Sequence, residues 1–111
     1  MKFSGGEWKD LGSFCMMEIF DITDGPNVQV VEVKPNSSIN THYHHRQTEV
    51  FYIQSGNAVL GIGDQEWDAC TGDIFLCQPP NRHWIENCSD DPFRMLIFKY
   101  GFEPGDTVWV E

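Results

Sequence analysis

The stretch Thr41-His42-Tyr43-His44-His45-Arg46-Gln47-Thr48-Glu49 holds three of the four histidines of the chain within four positions and ends on a carboxylate. If it is extended, the two-residue period of a strand puts His42 and His44 on one face and Tyr43 and His45 on the other. Two imidazoles then converge on one point. Glu49 follows His44 by five residues, so a bend around Arg46 and Gln47 lets the next strand carry its carboxylate to the same place, and Gly56 closes that strand in a hairpin turn. The fourth histidine, His83, opens His83-Trp84-Ile85-Glu86-Asn87 after the turn Pro79-Pro80-Asn81. Imidazole nitrogens and a carboxylate oxygen are borderline donors that suit a divalent first-row metal held on a rigid sheet. An isolated pair of histidines two apart reads more simply as a solvated polar strand. The added Glu49, Gly56 and His83 make that reading much less economical.

Outward from this stretch, turn signals recur at short intervals: Asp24-Gly25-Pro26-Asn27, Ser55-Gly56-Asn57, Gly61 to Asp64, Thr71-Gly72-Asp73, Pro79-Pro80-Asn81, Ser89 to Pro92 and Pro104-Gly105-Asp106. Between them lie runs rich in Val, Ile, Phe, Tyr and Trp: Phe14 to Phe20, Asn27 to Val33, Val50 to Gln54, Asn57 to Ile62, Ile74 to Cys77, His83 to Asn87 and Phe93 to Tyr100. Most are too short for helices, and no dozen residues carry a 3.6 period. The pattern predicts an all-β domain, an antiparallel sandwich or barrel without internal repeats.

The chain has 111 residues and a formal net charge of −10, the size and balance of one acidic domain spanning 1–111. With 41% hydrophobic and 14% aromatic residues it is no disordered segment, so the acidity belongs on the surface. Scattered basic residues in an acidic chain argue against a nucleic-acid partner and against anionic membranes. No apolar run approaches the roughly 20 residues that a bilayer demands. The N-terminus Met-Lys-Phe-Ser-Gly-Gly-Glu-Trp lacks the apolar stretch of a signal peptide, and the expectation is a cytoplasmic protein. Cys15, Cys70, Cys77 and Cys88 show no C-x-x-C spacing and are expected to be reduced, small buried side chains.

The spacing resembles that of the cupin superfamily, whose first motif reads G-x5-H-x-H-x3–4-E-x6-G and whose second reads G-x5-P-x-G-x2-H-x3-N. His42, His44, Glu49 and Gly56 match the first, and Gly72, His83 and Asn87 match the second, within about residues 36–87. The resemblance implies an antiparallel jelly-roll β-barrel with metal ligands His42, His44, Glu49 and His83 pointing inward, holding one divalent ion of iron, manganese, nickel or zinc. Three positions depart from it. The opening glycine falls on Asn36, and the Pro and Gly of the second motif fall on Gln78 and Pro80. Proline fixes φ where glycine often serves positive φ, so the turn before His83 is expected to differ from the family's average.

Three neutral imidazoles and one carboxylate would leave a divalent ion with net charge +1 and open positions, unlike the closed four-coordinate structural zinc sites. Such a site suits a small oxygenated metabolite: an α-hydroxy acid, enediol, keto acid or sugar acid. Continuing the alternation, Phe51 and Ile53 share the face of Glu49, and Ile85 and Asn87 share that of His83. Either Phe93, Met95 and Ile97 or Arg94, Leu96 and Phe98 complete the pocket wall; an inward Arg94 would favour a carboxylate, while an outward one is a plain surface charge. The preferred function is a metal-dependent enzyme of dioxygenase, isomerase or lyase type, with Tyr52, Glu66, Glu86 and His45 as the candidate general acids and bases. The competing function is a module that binds a carbohydrate or metabolite through the same metal without turning it over. Tyr43 and Trp84, read as outward aromatics, suggest a homodimer.

Overall fold

Every interval between turn signals becomes a strand, and three further strands form where the sequence shows no apolar alternation. The computed structural model describes residues 1–110; residue 111, the last position of the expected domain, lies outside the described residues. The strands are β1 (Lys9–Asp10), β2 (Phe14–Asp21), β3 (Asn27–Val33), β4 (Ser37–His44), β5 (Thr48–Ser55), β6 (Ala58–Ile62), β7 (Gln65–Ala69), β8 (Ile74–Cys77), β9 (His83–Asn87), β10 (Phe93–Tyr100) and β11 (Thr107–Trp109). They form two antiparallel sheets, ordered β1-β2-β3-β10-β5-β8 and β11-β4-β9-β6-β7, rolled face to face as a jelly-roll barrel. Among the described residues no helix is long and apolar enough to cross a membrane.

The core follows from period-two alternation. On β10, Phe93, Met95 and Ile97 point inward; on β5, Phe51 and Ile53; on β9, Ile85. With Val31, Val33, Ile39 and Leu60 they close the barrel interior. Each such side chain contributes roughly 1.5–3 kcal/mol by leaving water. Strand β3 is buried on nearly its whole length. Its outward Val30 is paired with Met17, and the N-terminal segment around Phe3 and Gly6 lies against that methionine.

One break in the alternation positions the site. Ile39 of β4 stands opposite Ile85, and His42 stands opposite His83, so three steps along β4 match two along β9. This β-bulge inserts one residue and reverses the inward phase of β4, from the odd position of Ile39 to the even positions of His42 and His44.

The unexpected strands are polar edges or short pieces. Along β7, Gln65, Glu66, Trp67 and Asp68 are exposed, and its pairing to β6 rests on backbone hydrogen bonds. Strand β11 has three residues and pairs with the end of β4. The cysteine expectation fails for three of four: Cys77 is buried, Cys15 is half-buried, and Cys70 and Cys88 are exposed, although all four are free thiols. Cys70 and Cys88 lie just past the ends of β7 and β9, where the chain turns over the surface.

The departures from the cupin pattern have local explanations. Asn36 stands where the first motif has glycine and adopts φ +52°, a left-handed conformation that asparagine tolerates better than most residues. The Pro79-Pro80 peptide is cis in the turn that leads to His83. Gly56 adopts φ +87°, and a Cβ there would fall well inside van der Waals distance of the Pro92 carbonyl oxygen. Left-handed strain and overpacking together predict that Gly56→Ala lowers stability by roughly 2–5 kcal/mol. Chemical denaturation of the two proteins measures the difference, and a variant as stable as the parent would show that this backbone approach is not tight.

Candidate metal centre

Strand β4 supplies His42 and His44, β5 supplies Glu49 and β9 supplies His83. One ligand atom from each lies within 4.8 Å of every other. His44, Glu49 and His83 are buried and His42 is half-buried at the mouth. The bend between β4 and β5 is organised by Asp106, whose carboxylate accepts the backbone N–H groups of His45, Arg46 and Gln47 at 3.0, 3.1 and 3.1 Å. Although partial desolvation works against it, these three donors hold the Asp106 carboxyl below its usual range. The sequence marks Asp106 only as part of the turn Pro104-Gly105-Asp106, because its partners are amides about 60 positions away.

Each imidazole is oriented through its Nδ1. His42 Nδ1 lies 2.8 Å from the Asn40 carbonyl oxygen and His83 Nδ1 lies 3.3 Å from that of Asn81. A carbonyl oxygen can only accept, so the hydrogen sits on Nδ1 and Nε2 keeps its lone pair. His44 Nδ1 lies 3.3 Å from Thr107 Oγ1, which allows the same tautomer. The His42 ring also packs between those of His83 and Trp109, with centroids 4.0 and 4.5 Å away. This is the arrangement in which a histidine serves a metal, with one nitrogen tied to the protein and the other presented.

The presented atoms crowd one another. Glu49 Oε1 is 2.7 Å from His44 Nε2 and 3.2 Å from His83 Nε2. Yet Glu49 Oε1 and His83 Nε2 are buried without a properly aligned hydrogen bond. Lone pairs facing one another at this range repel unless a cation stands between them, and buried polar atoms without partners are costly. The donor set therefore fits a divalent metal. Cys77 Sγ lies 3.4 Å from His83 Nδ1, but burial, followed by the Glu49 charge, pushes its pKa up to about 12, so it stays a thiol.

The chain belongs to the cupin family. The cupin-domain family profile matches residues 29–99, more than half of the chain and all four clustered side chains. An uncharacterised protein of Methanocaldococcus jannaschii is 27% identical over 59 residues, which cover 53% of this chain and 47% of that protein. Among solved structures, oxalate decarboxylase of Lactobacillus farciminis superposes with a TM-score of 0.79 at 18% identity, over 94% of this chain and 33% of that one. KdgF of a Halomonas species superposes with a TM-score of 0.77 at 16% identity, over 87% of this chain and 90% of that one. The cupin thus spans about a third of the decarboxylase and about half of the archaeal protein. At these identities the likeness concerns the fold. Together with the histidine and glutamate cluster, it describes a metal-binding cupin.

Beside the cluster opens a cavity of about 210 Å³. Of the five expected wall residues, Phe51 and Ile85 line it. Ile53 is sealed in the core beneath, and Asn87 belongs to the opposite end of the barrel. There the Asn87 amide donates to the carbonyl oxygens of Val33, Lys34 and Asp91 and so clamps the end of β9. Arg94 is corrected outright: it faces outward, pairs with Glu32 at 2.6 Å and stacks 5.2 Å from the Trp8 ring. The reason is the phase of β10, which turns Phe93, Met95 and Ile97 inward and carries Lys99 with them. The candidate acids and bases fare no better, since Tyr52, Glu66, Glu86 and His45 are exposed on the outside. Tyr43 and Trp84 are half-buried rather than free surface aromatics, and Trp84 covers Gly61 and donates to Glu66 at 3.2 Å.

Burial, followed by the neighbouring His83, depresses the His42 pKa from 6.5 to about 4. Burial disfavours the Glu49 charge, but His44, His83 and Lys99 outweigh it and hold that carboxyl well below the usual carboxylate range. In the unfolded chain His42 takes up its proton near pH 6.5, in the barrel only near 4, so the unfolded state binds more protons between these values. The stability of chelator-treated protein is therefore expected to fall as pH drops from about 6.5 to about 4, and His42→Gln should flatten that slope. Thermal unfolding midpoints across this range read it directly; an equal slope in the variant would assign the effect to other groups.

Proposed function

We propose that this cupin is a metal-dependent enzyme acting on a small oxygenated metabolite, with His42, His44, Glu49 and His83 as the ligands of one divalent transition ion: iron, manganese, nickel or zinc. The observation that carries the reading is the inward aim of the Nε2 atoms, each fixed by an Nδ1 contact, around the partnerless oxygen of Glu49. When bound, such an ion would act as a Lewis acid on a coordinated oxygen of the substrate. The chain supplies the rest. Asn40, Thr107 and Asn81 hold the imidazoles, Glu49 offsets half of the cation's charge, and Phe51, Ile85, Met95 and Ile97 form a dry wall that strengthens electrostatic contacts within the cavity. An isomerase, lyase or dioxygenase reaction on an enediol, keto acid or sugar acid is consistent with this environment.

A second reading has a specific observation in its favour. Because Tyr52, Glu66, Glu86 and His45 all face away from the cavity, the same centre would serve a module that binds a metabolite without converting it. Anaerobically prepared, metal-reconstituted protein separates the two. Turnover or oxygen uptake with an enediol, keto acid or uronate establishes the enzyme; binding of one of them without either establishes the module.

The free thiols support a reducing, cytoplasmic setting. A homodimer finds support on a different surface from the one first expected. Strand β8 is the last strand of its sheet, and Ile74 and Leu76 are 67% and 56% exposed on its outer face beside Tyr52. Sedimentation is expected to show a dimer for the parent and a monomer for Leu76→Glu; a monomeric parent would refute it.

Elemental analysis tests the centre itself. Native protein is expected to carry one metal ion per chain and His44→Ala none. Asp106→Ala, which frees the bend before Glu49, should retain the site with roughly 10- to 100-fold weaker affinity. Stoichiometric metal in His44→Ala would overturn the assignment.

A further inference from the structure

We propose that Lys99, with the amide oxygen of Gln29, forms a shelf that recognises a small hydroxy-carboxylate in the cavity beside the metal centre. The proposal deepens the enzyme reading by naming its substrate class, and it rests on that reading for the location of the ligand. Its basis is a row of side chains running across one sheet. Asn27, Lys99 and Glu49 are direct register partners on β3, β10 and β5, and Gln29, Ile97 and Phe51 form the next row. Glu49 belongs to the metal cluster, so Lys99 stands one strand away from it on the same inner face.

The two sides of this shelf are incomplete in complementary ways. Lys99 lines the cavity and is half-buried, its Nζ 5.4 Å from the centroid of the Phe102 ring. Among the described residues no acceptor forms a hydrogen bond or an ion pair with it. Burial lowers the Lys99 pKa although the charges of Glu49 and Glu18 oppose it; neither carboxylate accepts a hydrogen bond from the ammonium, and a carboxylate in the cavity would. Asn27 and Gln29 are 6% and 2% exposed. Their amide nitrogens both donate to the Glu18 carboxylate, the Gln29 contact at 3.1 Å. A carboxylate can only accept, so Glu18 fixes the orientation of both amides and turns their oxygens away from it. Asn27 Oδ1 and Gln29 Oε1 are then buried without a donor, and of the two residues it is Gln29 that lines the cavity. A hydroxyl group is the donor that Gln29 lacks.

One cation and one acceptor therefore call for a molecule that carries a carboxylate and a hydroxyl together. A neutral polyol would leave the Lys99 ammonium without a charge-assisted hydrogen bond. A fatty carboxylate would leave the Gln29 amide oxygen unpartnered. A dianion would meet the charges of Glu18 and Glu49 on either side.

Calorimetric titration of metal-loaded protein with gluconate, sorbitol and hexanoate tests each element, since the three share a six-carbon chain and differ in the groups at issue. Gluconate is expected to bind at least about tenfold tighter than either of the others, the range of one charge-assisted hydrogen bond. Lys99→Met should bring gluconate down to the level of sorbitol, Lys99→Arg should keep most of the preference, and Gln29→Leu should bring gluconate towards hexanoate. Gluconate binding no tighter than sorbitol in the parent, or a preference that survives Lys99→Met, overturns the shelf. Should Lys99→Met fail to fold, Lys99→Gln takes its place, because chelation of gluconate by the metal alone would also favour it over the other two in the parent. Metal content measured on the same samples keeps the two readings apart. Stoichiometric metal without carboxylate preference refutes the shelf and leaves the centre standing. A Lys99-dependent preference in protein that retains no metal supports the shelf and refutes the centre.

Discussion

One extra residue in β4, between Ile39 and His42, decides which side chains of that strand look into the barrel. With strict alternation from Ile39, the inward positions would be Thr41 and Tyr43, and the histidines would lie on the outer face. The bulge lets one strand place an isoleucine in the core and then two imidazoles at the mouth. Everything polar in the interior is arranged around the consequence. His83 arrives opposite His42, Thr107 opposite His44, and the bend capped by Asp106 brings Glu49 to the same point.

The interior is divided along the barrel axis. Towards the end clamped by Asn87, Phe93, Val33 and Ile53 are wholly buried and the packing is apolar. Towards the open end the inward positions turn polar: Glu49 precedes Phe51 on β5, Lys99 follows Ile97 on β10, Asn27 precedes Gln29 on β3 and His83 precedes Ile85 on β9. The apolar half stabilises the fold, and the rigidity it confers lets the polar half hold unsatisfied groups at fixed positions. A site of partnerless donors and acceptors is unfavourable by itself and requires such a foundation.

Much of this was legible in the histidine stretch. The turn signals and short apolar runs point to an antiparallel sandwich or barrel, and the resemblance of His42, His44, Glu49, Gly56, Gly72, His83 and Asn87 to the cupin motifs implies the jelly roll. Period-two alternation puts Phe51 with Glu49 and Ile85 with His83, and both strands alternate without interruption in those spans. It left β10 undecided, because Arg94, Leu96 and Phe98 look as plausible an inner face as Phe93, Met95 and Ile97; the burial of Phe93 settles the phase and thereby exchanges Arg94 for Lys99 as the inward cation. Strands β7 and β11 escaped notice because an edge strand can be held by its backbone alone.

The sequence by itself determined the fold class and the four side chains that cluster, because both are carried by local signals: residue types, turn chemistry and spacing along the chain. Tertiary structure decided what surrounds the cluster. Asp106 under the bend, Thr107 behind His44, Glu18 orienting Asn27 and Gln29, and Lys99 beside Glu49 all join residues distant in the chain. Their pairing depends on strand order and register, which are set by how two whole sheets bury their apolar faces against each other, and no local pattern encodes that choice.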